Sequence, residues 1–358
     1  MNLIVNSQRL AAELRLANKV VPSKPAIMIL SHALFTATDD GLSIWATDLE
    51  IGLSTQCAAT VTEPGTVALP VARFLSLVEQ FPDADVSIQV SGTVASVTCG
   101  AFKSRLQTMS TSDFPKMPDV SGPTSSIDGE SFRQLIARTR YAINASSSKA
   151  VLQGALLKLG ESGTLMVATD GRRLALSTCA STGAESEVIV PAKALDALEA
   201  IQGHQVEVTV GPKHLHFASG GCVLTSRTID GKFPAWDKIM PKNDKVVTVE
   251  RLALAAALRR VVLVSEENKA IYMVVDNGQV TIAARSQDMG QADEAVSVEY
   301  AGEALKICLN GSFLLDYLNA ARFATVKLHL RDATTAMMMT DGDASDHVGV
   351  AMLMRGDR

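Results

Sequence analysis

The sequence predicts an α+β fold made of three similar units, each with two helices and antiparallel sheets. The prediction rests on landmarks that recur along the chain in one order and at nearly one spacing. Ala-Thr-Asp ends a short apolar strand at Asp48 and again at Asp170, 122 positions later. A proline that opens a helix recurs at Pro70 and Pro191, and a Phe-Pro pair recurs after each of them. Such a repeat indicates one supersecondary unit used more than once.

A third copy is weaker but follows the same order. The segment VTVERLALAAALRRVV (247–262) resembles the amphipathic segment SSIDGESFRQLIARTRYAI (125–143), and Asn310 stands where the other copies have the helix-opening proline. The Thr-Asp turn is lost from this copy, and residues 284–286 take its place. We therefore predict three domains, at residues 1–122, 123–245 and 246–358.

The predicted order within a unit is strand, helix, several strands, helix and further strands. Turns such as DDG at 39–41 and DNG at 276–278 indicate hairpins. Apolar residues at helical spacing predict six helices, at approximately 7–20, 71–80, 130–143, 192–202, 249–262 and 311–322.

Composition places the chain among soluble globular proteins. It is 47% hydrophobic and 20% charged, and no run approaches the roughly 18 apolar residues of a membrane span. The start, MNLIVNSQRL, lacks the pattern of a secretory signal. Five scattered cysteines with no CxxC pair argue against a disulfide framework and structural zinc. We expect a cytoplasmic protein that does not contact membranes.

Positive charge is segregated on the predicted helices. The net charge is −5, yet the six helices carry twelve Lys or Arg against seven Asp or Glu. One interpretation is that the helix arginines only keep the outer faces of amphipathic helices in contact with solvent. The other is that helices of all repeats face a polyanion and neutralise its phosphates without reading bases. The arginines concerned are Arg9, Arg15, Arg133, Arg138, Arg140, Arg251, Arg259 and Arg260.

The sequence contains no common catalytic motif. Phosphate-loop, dinucleotide, zincin and hydrolase-elbow patterns are absent. His214 and His216 lack further ligands at suitable spacing, and TDGDASD (340–346) lacks the terminal glutamate of a calcium loop. We predict no catalytic residue, no metal and no cofactor.

The stretch ATDGRRLAL (168–176) could provide an acidic group together with two arginines that bind an anion. Asp170 would be the acid, and Arg172 and Arg173 the clamp, in a phosphate-handling enzyme. Asp48 occupies the equivalent position in the first repeat without the arginines. This comparison favours a structural Thr-Asp turn.

Four segments carry a resemblance to a known family: ATDGRRLAL, TDLE (47–50), SRTIDGKFPAWDKIMPKN (226–243) and the terminal VAMLMR (350–355). Together they resemble the bacterial sliding clamps, the β subunits of DNA polymerase III, and the match is collinear over essentially the whole chain. The resemblance implies three DNA-clamp domains that assemble head-to-tail with a second copy into a ring of six domains. Helices would line the hole and sheets would lie outside.

The resemblance also implies a non-catalytic processivity factor. Such a ring encircles double-stranded DNA without sequence preference and tethers other proteins to it. The implied partners are the DNA polymerase III α subunit, the clamp loader, and other polymerases and repair proteins that carry clamp-binding peptides. These partners would compete for one apolar pocket between the second and third domains.

Three groups of site residues follow from the resemblance. The peptide pocket would contain Leu152, Thr169, Gly171, Arg172, Arg173, Leu174, Pro234, Lys238, Ile239, Phe313, Val350, Met352, Leu353, Met354 and Arg355. DNA would contact Lys24, Arg73, Lys149 and Lys193. The dimer interface would include Lys103 and Leu106 of one copy and Leu263 and Val264 of the other.

The chain departs from the family pattern near the pocket. Leu353 replaces a proline, Lys238 an arginine and Phe313 a tyrosine, and residues 356–358 extend beyond the usual end. The segment NASSSKAVLQG (144–154) is smaller than the family's tyrosine-bearing loop. An alternative function is therefore a diverged clamp paralogue that serves repair polymerases or binds an inhibitor, and peptide preference would separate the two.

Overall fold

The computed structural model describes residues 1–355, except for the side chains of 344 and 345. The C-terminal extension at 356–358 lies outside the described residues. Six α-helices form within the described part: α1 (Ser7–Val20), α2 (Val71–Val78), α3 (Gly129–Thr139), α4 (Ala192–Leu198), α5 (Arg251–Val262) and α6 (Gly311–Ala320). All six predicted helices are confirmed, although α2, α3, α4 and α6 end two to four residues early.

Antiparallel strands make up most of the remaining regular structure. Those of the first part of the chain are β1 (Asn2–Asn6), β2 (His32–Thr38), β3 (Gly41–Thr47), β4 (Ile51–Cys57), β5 (Ala59–Glu63), β6 (Gly65–Pro70), β7 (Asp85–Ser91), β8 (Val94–Cys99), β9 (Phe102–Gln107) and β10 (Thr124–Asp128). The later strands are β11 (Gly154–Leu159), β12 (Thr164–Thr169), β13 (Arg173–Cys179), β14 (Thr182–Gly183), β15 (Ser186–Pro191), β16 (Gln205–Val210), β17 (His214–Ser219), β18 (Cys222–Arg227), β19 (Lys245–Glu250), β20 (Ala270–Asp276), β21 (Gln279–Ser286), β22 (Gly290–Glu299), β23 (Leu305–Asn310), β24 (Thr325–Leu330), β25 (Met337–Asp341) and β26 (Ala344–Ala351).

The first of two compact units contains residues 1–130, 181–186 and 193–228. It has a five-stranded sheet in the order β5-β1-β7-β8-β9 and a nine-stranded sheet in the order β14-β10-β16-β17-β18-β4-β3-β2-β6. Helix α1 buries Leu10 and Leu14 in the core between them, beside Phe35 and Phe74. Strands β4 and β18 pair from Ile51 with Ser226 onward, so strands of the first and second repeats share one sheet.

The second compact unit contains residues 131–180, 187–192 and 229–358. Its twelve-stranded sheet runs β15-β11-β12-β13-β26-β25-β24-β19-β22-β21-β20-β23. The pairing of β13 with β26, from Arg173 with Ala351 onward, again joins neighbouring repeats. Helices α5 and α6 bury Leu254, Leu258 and Tyr317 in the main core.

Local sequence explains where the elements begin. Asn6 and Asn310 accept backbone N–H groups of the first turns of α1 and α6, so Asn310 replaces the helix-opening proline by side-chain capping. The DDG and DNG turns form the predicted hairpins between β2 and β3 and between β20 and β21. The α+β fold with antiparallel sheets is confirmed, whereas the domain boundaries given above stay a prediction.

Candidate functional sites

The Thr-Asp turn of the second repeat is held by its own side chains. Thr169 Oγ1 donates to the Arg173 carbonyl at 2.6 Å and accepts the Gly171 amide at 3.1 Å. Asp170 Oδ1 accepts the amides of Arg172 and Arg173 at 2.8 and 2.9 Å. Gly171 has a φ of +88°, which costs glycine little. The turn therefore needs Asp170 for its own structure.

The first repeat contains the same turn. Thr47 Oγ1 donates to the Ile51 carbonyl at 2.8 Å and accepts the Leu49 amide at 3.0 Å, while Asp48 Oδ1 accepts the amides of Glu50 and Ile51. Leu49 has a φ of +77° in the place of Gly171. Because the hydrogen bonds recur without the arginines, the turn is structural in both repeats, as the sequence indicates.

Arg173 is held on several sides. Its guanidinium bonds Asp170 at 3.0 Å, Asp316 at 2.6 Å and the Tyr141 carbonyl. Its Cζ also lies 4.6 Å from the centre of the Phe313 ring. Only 15% of the Arg173 side chain is exposed, so these contacts stabilise the turn from its buried side. Asp170 and Arg173 thus already satisfy each other, which disfavours the phosphate-handling enzyme.

Several of the predicted pocket residues are buried. Leu152, Thr169, Leu174 and Val350 are buried, and Leu174 pairs with Val350 across β13 and β26. Leu174 and Val350 share a core cluster with Phe233, which precedes Pro234. The DGKFP segment (230–234) and the strands beside the turn therefore pack in one core.

Other predicted pocket residues are exposed or half-buried. Ile239 and Met352 are 51% and 52% exposed, which is high for large apolar residues. Gly171, Arg172, Pro234, Lys238 and Arg355 are exposed too, and Phe313, Leu353 and Met354 are half-buried. Exposed apolar side chains next to exposed basic ones suit a peptide that carries large apolar anchors.

The C-terminal segment is fixed by backbone hydrogen bonds. The Met352 amide donates to the Arg172 carbonyl at 2.9 Å, and the Met354 amide donates to the Cys308 carbonyl at 2.7 Å. Between them Leu353, in the place of the family's proline, forms a β-bridge with Leu309. The substitution therefore leaves residues 352–354 attached to both the turn and β23.

A buried ion cluster corrects one expectation. Arg138, counted above among the helix arginines that could face a polyanion, is only 3% exposed. It bonds Asp346 at 2.8 Å and Asp341 at 3.5 Å. Asp341 also accepts the backbone amides of Arg322 and Phe323. Helical spacing cannot distinguish such an arginine from an exposed one, because its partners lie about 200 positions away.

The four proposed DNA contacts differ in their surroundings. Lys24, Arg73 and Lys149 are exposed. Lys193 forms an ion pair with Asp48, the acid of the first Thr-Asp turn. Its charge is therefore partly compensated within the first unit, unlike that of the other three.

Two open strand edges lie near the proposed interface residues. Lys103 and Leu106 lie on β9, the last strand of the five-stranded sheet. Leu263 is 74% exposed and directly follows α5. Near it, β22 pairs with β19 only through Thr248–Glu299 and Val249–Val298, so residues 290–297 form an open edge. This edge is not among the predicted interface residues, although its acidic segment QADEAVSVE (291–299) could have indicated it.

The described residues also bear on a metal site and on a membrane-spanning helix. Within residues 1–355 no group of three or more His, Cys, Asp or Glu side chains is arranged to hold a metal ion. His216 Nε2 lies 3.2 Å from the Pro118 carbonyl, and burial lowers its pKa. None of the described helices is long and apolar enough to cross a membrane.

Comparison with known proteins gives one consistent match. The profiles of the DNA polymerase III β subunit match this chain with the N-terminal domain at residues 1–118, the central domain at 126–235 and the C-terminal domain at 237–355. The β sliding clamp of Pseudomonas putida is 30% identical over 99% of this chain and 100% of its own length. That of Caulobacter vibrioides is 32% identical over 95% and 96%.

Solved structures agree with the sequence matches. The sliding clamp of Pseudomonas aeruginosa bound to griselimycin has a TM-score of 0.94 and 30% identity, and covers 99% of this chain and 100% of its own. Family profiles cover most of the chain, and the relatives match from end to end. The chain belongs to the β sliding clamp family, the β subunits of DNA polymerase III.

Proposed function

We propose that this protein is a DNA polymerase processivity factor that works in the cytoplasm. Two copies form a ring around duplex DNA, and the ring tethers the DNA polymerase III α subunit, the clamp loader, and other polymerases and repair proteins. The observation that carries the proposal is that the Met352 amide donates to the Arg172 carbonyl, which holds the exposed Met352 beside the Thr-Asp turn. We expect this surface to receive a peptide.

Retention on DNA tests this function directly. Each chain has a mass of 37.9 kDa, so a closed dimer should have about 76 kDa by light scattering. After loading by a bacterial clamp loader, the dimer should remain on nicked circular plasmid and leave the same plasmid once it is linearised. Equal loss from both would contradict topological binding and favour a paralogue that binds partners without encircling DNA.

Weak phosphate contacts suit such a ring. Lys24, Arg73 and Lys149 would neutralise phosphates without reading bases, with Lys193 contributing less because Asp48 compensates it. A net charge of −5 keeps the remaining surface from adhering to DNA. The ring could then slide.

Opposite charges support the proposed dimer interface. Strand β9 presents Lys103 and Arg105 beside Leu106, whereas the open edge of β22 presents Asp293, next to Glu294, which bonds Arg260. Two unpaired edges of opposite charge can add to one another. Leu263 and Val264, at the end of α5, would border the same contact.

Reversing the charge of β9 should break the dimer. In Lys103→Glu with Arg105→Glu, two acids would face the acidic edge of β22, so the mass by light scattering should fall to that of one chain. Lys158→Glu with Lys213→Glu is the matched control, because Lys158 is exposed on β11 and Lys213 is exposed in the turn before β17. Adding Asp293→Lys to the first variant should restore part of the dimer. A β9 variant that stays dimeric would rule out this interface.

Met352→Asp should weaken anchor-peptide binding about 30-fold, because a charge replaces apolar contact worth roughly 2 kcal/mol. The backbone bond to Arg172 does not involve the side chain, so the segment should stay in place. Fluorescence polarisation with a labelled peptide measures the change. Met28→Asp is the control, since Met28 is also exposed, at 67%. Equal affinity of Met352→Asp and wild type would remove Met352 from the pocket.

A further inference from the structure

A second cavity lies next to the C-terminal segment, on the third repeat. It has a volume of about 530 Å³, and its floor is the face of β20, β21 and β23 that points away from the core. Ile271 and Met273 of β20 are buried in the core, whereas Tyr272 between them faces the cavity. A volume of this size is in the usual range for ligand sites, roughly 300 to 1,000 Å³.

The cavity and the proposed peptide pocket share a wall. Met352 is tied to the turn at Arg172, and Met354, two residues later, is tied to Cys308 on the cavity floor. Two residues of extended chain span about 7 Å. A peptide that leaves the pocket past Met354 therefore reaches the cavity, which Met354 lines, within about two residues.

Positive charge dominates the cavity lining. Arg285, Lys306 and Arg355 face it against one carboxylate, Glu266. The Lys306 Nζ lies 5.0 Å from the centre of the Tyr272 ring, which orients the ammonium group over the floor. Neither Arg285 nor Arg355 forms an ion pair with another described residue.

We propose that this cavity binds acidic residues that flank the anchor peptide of a partner. The carboxylates would lie between Arg285, Lys306 and Arg355, beside the apolar surface of Tyr272 and Val274. This inference rests on the proposed peptide pocket and adds a selective contact to it. Partners with the same anchor would then be ranked by the charge of the residues next to the anchor.

Five labelled peptides test the proposal with the full-length protein. Each contains the same glutamine, leucine and phenylalanine anchor: one is bare, two carry three glutamates at one end or the other, and two carry three glutamines at one end or the other. Wild type should bind one of the glutamate peptides about fivefold tighter than its glutamine counterpart in low salt. High salt should reduce the preference.

Arg285→Gln with Lys306→Gln should abolish the preference and leave binding of the bare peptide unchanged. Lys158→Gln with Lys213→Gln removes the same charge elsewhere and should keep the preference. If the cavity variant still prefers glutamate, or if wild type shows no preference, the acidic-residue site is wrong while the pocket stands. If the bare peptide does not bind wild type at all, the pocket itself is wrong and the extension falls with it.

Discussion

Arg138→Ala is expected to lower the free energy of unfolding by about 3–5 kcal/mol, because it leaves a buried carboxylate without its counter-charge. Asp341 is fully buried, and Arg138 is its cationic partner. The backbone amides of Arg322 and Phe323 would still bond Asp341, at 2.7 and 2.9 Å, but they carry no full charge. The shift in urea midpoint at constant slope measures the loss.

Neutralising the unpaired acid should recover part of this loss. In Arg138→Met with Asp341→Asn the unpaired buried charge is removed, but the asparagine oxygen can accept only one of the two backbone amides, which bond different oxygens of Asp341. Replacing a whole buried ion pair costs far less than removing one partner. The coupling free energy between the two positions should therefore be large, and a double-mutant cycle measures it.

An exposed arginine provides the control for Arg138→Ala. Arg15 bonds Glu79 at 2.8 Å, but both side chains are exposed, so Arg15→Ala should cost less than about 1 kcal/mol. If Arg138→Ala were equally mild, the ion cluster would not stabilise the second unit. Helix α3 belongs to the second repeat, and β25 and β26 belong to the third. A large loss of stability would therefore show that ion pairs, as well as the shared sheet, hold these two repeats together.

The sequence predicts the repeated features well because they are local. A turn that begins with Thr-Asp, a proline before a helix and apolar residues at helical spacing each act over a few positions. The hydrogen bonds around Asp48 and Asp170 match one another for this reason. The six helices follow from the same short-range patterns.

The strand pairings and ion pairs that connect neighbouring repeats depend on residues far apart in the sequence, and they were not predicted. Strand β4 meets β18 across more than 160 positions, and β13 meets β26 in a similar way. Arg138 lies on a helix whose spacing is compatible with exposure, and only the folded chain brings Asp346 to it. The pocket residues came from the family resemblance, whereas the cavity beside Met354 depends on how the terminal segment lies against β23.

His347 should make the protein less stable in acid, by up to about 3 kcal/mol between pH 6.5 and pH 4. Its ring is buried and stacks on Tyr317 with 4.5 Å between ring centres. Burial first, and then the positive charge of Arg138, lower its pKa from 6.5 to about 4, while Asp341 and Asp346 oppose the shift. As pH falls through this window the unfolded chain gains a proton that the folded chain does not, so unfolding becomes easier.

His347→Phe should flatten this dependence, because phenylalanine keeps the stacking and does not titrate. Tyr317 donates to the backbone carbonyl of His347, so that bond should survive. Unfolding free energies at pH 7, 6, 5 and 4 should differ in slope from wild type by at most about 1.4 kcal/mol per pH unit. His329→Phe is the control, since its ring is half-buried and its pKa is lowered less far.

The two buried groups should also depend on one another. In Arg138→Met the charge that disfavours the His347 imidazolium is gone, while the opposing carboxylates Asp341 and Asp346 remain. The pKa of His347 should rise towards its usual value, and the loss of stability in acid should shrink. Identical pH profiles for wild type and Arg138→Met, relative to each at pH 7, would show that burial alone sets this titration.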